Sequence, residues 1–219
     1  MRGTGVTQKP SIGKFSVANQ KKLTPIPKID PQNPHINEDY EPCHSNMSQA
    51  KVFKGHLMGV TSLAYNSKKD ILATGSDDTT WKLWSVPNGD LLMSGEGHSD
   101  WIGGVCFHPK GNFLATASGD GYIKIWDFIN AKCAMQYSEH GQPVWKVDYH
   151  HDGDFLLSCS MDHTVKLWDM NLPNSSRFTF RGHVDSVNSV QWCPYSTMFV
   201  SGAGDKTVSL WDIRSNLCI

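Results

Sequence analysis

The fold is indicated most clearly by one segment, Thr116-Ala-Ser-Gly-Asp-Gly-Tyr-Ile-Lys-Ile-Trp-Asp127. Two segments with the alternating pattern of β-strands flank a short turn of glycine and aspartate, which is typical of a β-hairpin. Similar stretches occur three more times, each ending in a tryptophan and each preceded by a histidine. A unit that recurs at a fixed interval is the first sign of a repeat architecture.

Four columns of residues follow this repeat, whose histidines are 42, 42 and 43 residues apart. In each unit a hydroxyl residue follows the histidine by 18 residues, an aspartate by 22 and a tryptophan by 28. The columns are His56, His98, His140 and His183; Thr74, Thr116, Ser158 and Ser201; Asp78, Asp120, Asp162 and Asp205; and Trp84, Trp126, Trp168 and Trp211. The segments between them predict a four-stranded antiparallel sheet in every unit, and therefore an all-β fold.

The repeat resembles the WD-repeat β-propeller family over residues 51–219. The matching dipeptides are Gly55-His56, Gly97-His98, Gly182-His183, Trp126-Asp127, Trp168-Asp169 and Trp211-Asp212. Glu139 and Ser85 depart from the pattern, at the glycine and the aspartate positions. The resemblance implies four four-stranded blades. Because the family usually closes seven, we expect an incomplete arc of a larger propeller, a fragment or shorter isoform, whose open blade edges favour self-association.

The resemblance also implies that histidine, hydroxyl, aspartate and tryptophan form one structural hydrogen-bonded tetrad per blade. A Ser-His-Asp set is equally typical of hydrolases, but an enzyme needs only one activated nucleophile, so four copies favour architecture. We therefore expect no catalytic residue. No Cys/His pattern has the spacing of a metal site, His150-His151 included, and no glycine-rich phosphate loop occurs. We expect no metal, no cofactor and no small-molecule substrate.

The 219 residues carry a formal net charge of -1 and six scattered cysteines without a C-x-x-C pair. This composition gives no overall bias toward nucleic acid or membranes, and it favours a reducing compartment. No apolar run is long enough for a membrane span or a signal peptide. The sequence predicts a soluble, intracellular protein.

Residues 1–48 predict a disordered arm that precedes the propeller segment of residues 49–219. The arm contains six of the eleven prolines, and its basic residues, from Arg2 to Lys28, precede its acidic residues, from Asp30 to Glu41. Such a segment buries too little apolar surface to fold. It is either a solvated linker or an electrostatic contact for an acidic polymer such as a tubulin tail or nucleic acid; we favour the linker.

By resemblance to the G-protein beta subunit, a set of loop positions faces the narrow rim where propellers bind partners. These rim positions are Gly59, Thr61, Asp77, Trp101, Gly103, Gly119, Pro143, Trp145, Met161, Ser186, Asn188 and Gly204. Large exposed apolar side chains are common anchors of interfaces, so Trp101, Trp145 and Met161, with Asn188, are the candidate binding residues. Either tryptophan changed to alanine should weaken binding and leave the melting temperature nearly unchanged.

A narrower resemblance points to function. Gly97-His-Ser-Asp-Trp-Ile, Phe107-His-Pro-Lys-Gly and His183-Val-Asp-Ser-Val-Asn-Ser-Val are similar to the sperm-associated WD-repeat proteins of the axonemal central apparatus. This implies a scaffold at the cytoskeleton of cilia and flagella, bound to axonemal or microtubule-associated proteins and supporting sperm motility. The alternative is a substrate receptor of a cullin-type ubiquitin ligase, because Trp211-Asp212-Ile-Arg214 looks like the WD-x-R box that docks a ligase adaptor.

Overall fold

The computed structural model describes residues 13–14, 48–49, 51–86, 88–172, 175–215 and 217–218. The chain divides into two compact units, Met1–Phe53 and Lys54–Ile219. In the first unit, strand β1 (Gly13–Lys14) pairs antiparallel with β2 (Ser48–Gln49). The rest of the arm expected at 1–48 lies outside the described residues, so its disorder and its boundary at residue 48 stay predictions.

The second unit contains four antiparallel sheets whose strands pair in chain order. The first two sheets are β3 (Val60–Asn66), β4 (Ile71–Ser76), β5 (Trp81–Ser85) and β6 (Leu91–Gly95), then β7 (Ile102–Phe107), β8 (Phe113–Ser118), β9 (Ile123–Asp127) and β10 (Lys132–Tyr137). The last two are β11 (Val144–Tyr149), β12 (Phe155–Ser160), β13 (Thr164–Asp169) and β14 (Ser176–Arg181), then β15 (Val187–Trp192), β16 (Met198–Ala203), β17 (Val208–Asp212) and β18 (Leu217–Cys218). The predicted all-β fold of four four-stranded blades is confirmed. None of the described residues forms a helix long and apolar enough to cross a membrane.

Each hairpin between the second and third strands of a blade turns through a residue in the left-handed region. These residues directly follow the turn aspartates and are Thr79, Gly121, His163 and Lys206, with φ between 67° and 81°. Only glycine adopts this conformation without a steric cost, so three of the four turns carry local strain that the surrounding structure offsets.

Three hydrophobic clusters join the blades, and each draws its side chains from two neighbours. In the first cluster Trp81 and Leu83 of blade one pack with Ile102 and Val105 of blade two. Equivalent positions form the clusters between blades two and three and between blades three and four. Full burial of one such aliphatic side chain contributes roughly 1.5–3 kcal/mol. The core of the unit therefore lies between the sheets, as a series of blade-to-blade interfaces.

The two outer faces of the series are open. On blade one, one face of β3 is exposed, and we call it the leading face. It carries Val60, Leu63 and Tyr65. Leu63 is 66% exposed, whereas its equivalents Val105 and Val190 are 6% and 1% exposed because a preceding blade covers them. At the other end Val208 of β17 is 78% exposed and marks the trailing face. Among the described residues, no further blade covers either of these two faces.

A β-bulge interrupts the innermost strand of every blade at the same position. The pairing of β3 with β4 skips Thr61, and the three other inner strands skip Gly103, Trp145 and Asn188. A bulge leaves one residue out of the ladder and redirects its side chain. All four skipped residues belong to the rim positions. In every blade, therefore, one residue at the same position of the inner strand lies outside the hydrogen-bonded ladder, at the same edge of the unit.

Candidate functional site

The third blade shows the hydrogen-bonded tetrad in full. The indole N–H of Trp168 donates to Ser158 Oγ at 2.8 Å, and Ser158 Oγ lies 2.7 Å from His140 Nε2. Asp162 Oδ2 lies 2.7 Å from His140 Nδ1. All three contacts are satisfied if Nδ1 carries the proton: the imidazole then donates to the carboxylate and accepts from the hydroxyl.

The other three blades repeat this geometry. The histidine Nε2 to hydroxyl distances are 2.6, 2.7 and 2.8 Å for His56, His98 and His183. The corresponding tryptophans donate to the same hydroxyl oxygens at 2.8 to 2.9 Å. The structure thus brings together all sixteen candidate tetrad residues, in four groups of four. Each group ties the loop before a blade to the blade's central strands.

The tetrad aspartates have lowered pKa values. Burial raises the pKa of Asp120, but hydrogen bonds from His98, Tyr122 and Ser99 outweigh it and lower the pKa to about 2. Burial likewise opposes the hydrogen bonds that lower the pKa of Asp78 and of Asp162. In the fourth blade the Thr207 hydroxyl is the first cause of the lowered pKa of Asp205. The carboxylates are therefore held in their charged form.

The tetrad hydroxyls are poorly placed to act as nucleophiles. The side chains of Thr116 and Ser158 are completely buried, and Ser201 is nearly so. Each hydroxyl is already engaged by an indole and an imidazole. A nucleophile needs a free approach for its substrate, and these positions offer none. The tetrads can hold the blade together, and their geometry gives no route to acyl transfer.

A cleft of about 450 Å³ opens on the rim across the first three blades. Its walls are Thr61 and Asp77 from blade one, Trp101 and Gly103 from blade two, and Trp145 from blade three. All five belong to the rim positions. Interaction sites commonly combine aromatic walls with a few polar groups, as this cleft does.

The two tryptophans of the cleft stack on each other. Their ring centroids are 4.8 Å apart with an interplanar angle of 29°. The indole N–H of Trp145 donates to Ser186 Oγ at 2.9 Å, in the fourth blade. Trp101 lies close against Gly103 and Gly119, where an added Cβ would approach its ring to 2.6 Å. The absence of a side chain at these two glycines therefore leaves the space that the Trp101 ring occupies, and a larger residue at either position would displace the ring.

A family model described as "WD domain, G-beta repeat" matches residues 47–85, 87–127, 131–169 and 174–212, one match for each blade. The chain belongs to the WD-repeat family. The predicted resemblance is confirmed, and the four WD repeats coincide with the four blades and their tetrads.

Among curated WD-repeat relatives, flagellar WD repeat-containing protein Pf20 of Chlamydomonas reinhardtii is 49% identical over 70 residues, 32% of this chain and 12% of that protein. Sperm-associated antigen 16 protein of Mus musculus is 37% identical over 96 residues, which cover 41% of this chain and 14% of the relative. The Homo sapiens protein of the same name is 38% identical over 78 residues, 34% of this chain and 12% of the relative. The matched segments thus span a small part of each relative. The predicted similarity to sperm-associated WD-repeat proteins is confirmed.

Met161 and Asn188, the other two candidate binding residues, do not line the cleft. Met161 is 43% exposed, in the turn where its amide donates to Pro143 O at 2.9 Å. Asn188 is exposed at the bulge of the fourth blade and accepts a hydrogen bond from Ser186 Oγ at 2.8 Å. The candidate binding residues were chosen by size and apolar character, and this choice missed Asp77. The only feature of the sequence that indicated Asp77 was its place directly before the turn aspartate.

The WD-x-R segment of the fourth repeat contains a local ion pair. Arg214 donates through Nη2 to Asp212 Oδ2 at 2.8 Å, while 73% of the arginine side chain is exposed. The hydrogen bonds and charge of Arg214 lower the pKa of Asp212 to about 2. Arg214 therefore stabilises the strand end of this WD repeat, and its exposed guanidinium remains accessible to a partner.

One group of possible metal ligands occurs among the described residues. A ligand atom of each of His150, His151 and Asp152 lies within 4.8 Å of the others. The sequence predicts no partner set for the two histidines, whereas the structure places Asp152 Oδ2 3.6 Å from His150 Nδ1 and 3.5 Å from His151 Nε2. Lys110 Nζ lies 3.7 Å from the same carboxylate. Of these three neighbours, Lys110 supplies the charge opposite to that of Asp152.

Proposed function

We propose that this protein is a non-enzymatic interaction scaffold of cilia and flagella, placed at the central apparatus of the axoneme and supporting the motility of cilia and sperm. The stacked pair of Trp101 and Trp145 in the rim cleft carries the proposal, because it offers a rigid and partly exposed aromatic surface at the rim. Rigid aromatic residues supply much of the binding energy of protein interfaces.

The relatives support the ciliary setting. The names of two relatives contain the words flagellar and sperm-associated. We infer that the partners are axonemal or microtubule-associated proteins and that no membrane, nucleic acid or small-molecule substrate is involved. The tetrads, with their buried hydroxyls, support a structural role for the Ser-His-Asp sets.

Affinity capture tests this function. The full chain, immobilised, is exposed to detergent-extracted axonemal proteins and, in parallel, to an extract of non-ciliated cells. We expect selective capture of central-apparatus proteins, reduced by Trp101→Ala. Ile129→Ala is the matched control, because Ile129 is 64% exposed and lies between β9 and β10, outside the rim positions. Equal capture from both extracts would overturn the ciliary assignment.

The arm requires a separate measurement. Co-sedimentation with microtubules is compared between the full chain and a variant in which Lys9, Lys14, Lys21 and Lys22 are changed to glutamine. If the arm is only a linker, as we propose, both forms sediment alike. Loss of sedimentation in the variant would instead identify the arm as a contact for acidic tubulin tails.

The second candidate function is a substrate receptor of a cullin-type ubiquitin ligase, favoured by the exposed Arg214 guanidinium. Under this alternative the capture experiment recovers a cullin adaptor from both extracts, and Arg214→Ala removes it. Asp212 is unsuitable as the only test position, since it also accepts a hydrogen bond from Thr197 Oγ1 at 3.1 Å.

A further inference from the structure

We propose that the rim cleft binds an arginine side chain of the partner, with the guanidinium on Asp77 and its flat face and stem against Trp101 and Trp145. This inference rests on the proposed function, because it assigns the chemistry recognised by the same rim. The cleft residues and their polar partners carry it.

Asp77 supplies an available carboxylate at the cleft. Its backbone amide donates to Gly59 O at 2.9 Å, which fixes the turn and leaves the exposed side chain to the solvent. Within the described residues the Asp77 carboxylate forms no ion pair and no side-chain hydrogen bond. Gly59 keeps the approach open, because a Cβ at that position would lie 3.0 Å from Asp77 Oδ2.

Asp78, the turn aspartate that follows Asp77, has no free carboxylate oxygen. Asp78 Oδ1 accepts the hydroxyl of Thr80 at 2.6 Å, and Asp78 Oδ2 is engaged by His56. Both oxygens of Asp78 are used within the blade, whereas Asp77 lines the cleft. The two adjacent carboxylates therefore have separate roles, and only Asp77 can receive a cation from a partner.

The remaining charges near the cleft also favour a cation. Asp100, which precedes Trp101, uses Oδ1 to accept the Trp101 amide at 2.8 Å, and its Oδ2 lies against Gly119. Lys146, next to Trp145 in the inner strand, directs its ammonium to Ser189 Oγ at 3.4 Å, in the fourth blade. The polar atoms at this edge therefore present negative charge, which attracts basic segments and repels acidic ones.

The walls favour arginine over lysine. A guanidinium is planar, so it stacks on an indole and can donate two parallel hydrogen bonds to one carboxylate. An ammonium is a compact and strongly hydrated charge that gains less from flat aromatic walls. Two indoles and one free carboxylate in a single cleft of about 450 Å³ thus match a guanidinium on a flexible stem.

Titration of the full chain with N-acetyl-arginine amide tests the proposal. The readout is the indole N–H resonance of Trp101, identified in nitrogen-15 spectra by its loss in Trp101→Phe. N-acetyl-citrulline amide, which has the same shape without the charge, and N-acetyl-lysine amide are the control ligands. We expect a saturable shift with millimolar affinity for arginine, binding roughly tenfold weaker for lysine and none for citrulline.

Asp77→Asn should weaken arginine binding by roughly tenfold or more, and Asp90→Asn, on an exposed loop of the same blade, should leave it unchanged. Equal shifts with arginine and citrulline, a shift insensitive to Asp77→Asn, or no saturable shift would each overturn the proposal. Axonemal capture that persists in Asp77→Asn and is lost in Trp101→Ala would reject the arginine contact and leave the scaffold function standing.

Discussion

Trp101 and Trp145 belong to different blades, yet their rings stack with centroids 4.8 Å apart. Trp145 is at the bulge of its inner strand, and Trp101 lies in the loop that leads into the neighbouring blade. The contact therefore joins two blades at the rim.

The two tryptophans should respond differently to removal. Trp101→Ala should weaken partner binding at least tenfold and change the melting temperature little, because Trp101 is partly exposed and rests on two glycines. Trp145→Ala should also lower stability, since Trp145 packs on the third hydrophobic cluster and donates to Ser186. This replaces the expectation that both changes leave stability unaltered. Thermal unfolding and capture from axonemal extract are measured for both variants; equal losses of stability would contradict the distinction.

Thr116→Val should destabilise the second blade by roughly 1–3 kcal/mol. Valine has nearly the shape of threonine but leaves the indole N–H of Trp126 and the Nε2 of His98 without their partner. Thr116→Ser is the control, because the third and fourth blades use serine at this position. Urea unfolding at neutral pH gives the free energies. A loss in the serine variant as large as that in the valine variant would mean that the methyl group matters more than the hydroxyl.

Stability should fall in acid. In the folded protein the pKa of Asp120 is about 2, whereas an aspartate in an unfolded chain has a pKa of about 3.9. The charged form is therefore stabilised by folding at neutral pH, and this contribution is lost as the pH falls from about 4 toward 2. The urea midpoint, measured between pH 6 and pH 2, should decline most steeply below pH ~4. Asp120→Asn should be less stable at neutral pH and show a shallower decline. A midpoint that stays constant down to pH ~2 would contradict the assignment.

Thr79→Gly should stabilise the first blade by about 0.5–1 kcal/mol. Thr79 has φ 68°, a conformation that a β-branched residue adopts only with strain. The reverse change, Gly121→Thr, places the same residue at φ 81° in the second blade and should destabilise by about 1 kcal/mol. Opposite signs in urea unfolding support the turn geometry, and destabilisation by Thr79→Gly would refute it.

The chain should self-associate through its open faces. Equivalents of Leu63 and Val208 are buried in every internal blade interface, so the leading and trailing faces have the side chains of an interface. Sedimentation velocity should show concentration-dependent association that Leu63→Glu reduces. Leu92→Glu is the control, since Leu92 is 53% exposed on the outer strand β6. A monomer at all concentrations would count against association.

The repeat in the sequence was enough to predict the blades, and its resemblance to the WD-repeat family was enough to predict the tetrads. The four residues of a tetrad, such as His140, Ser158, Asp162 and Trp168, lie within one repeat, and the structure shows the contact that the resemblance implied. The same holds for the number of blades and for their order, because each hairpin forms between neighbouring segments of the chain.

The character of the rim and of the open faces depends on how the blades pack against one another. A repeat gives Leu63 and Val105 the same position, yet one is exposed and the other buried, because burial depends on whether a neighbouring blade covers that face. The cleft likewise combines Asp77, Trp101 and Trp145 from three blades. Pairing within a hairpin is local and follows from residue order, whereas packing between sheets brings together distant residues whose spacing carries no sign of the contact.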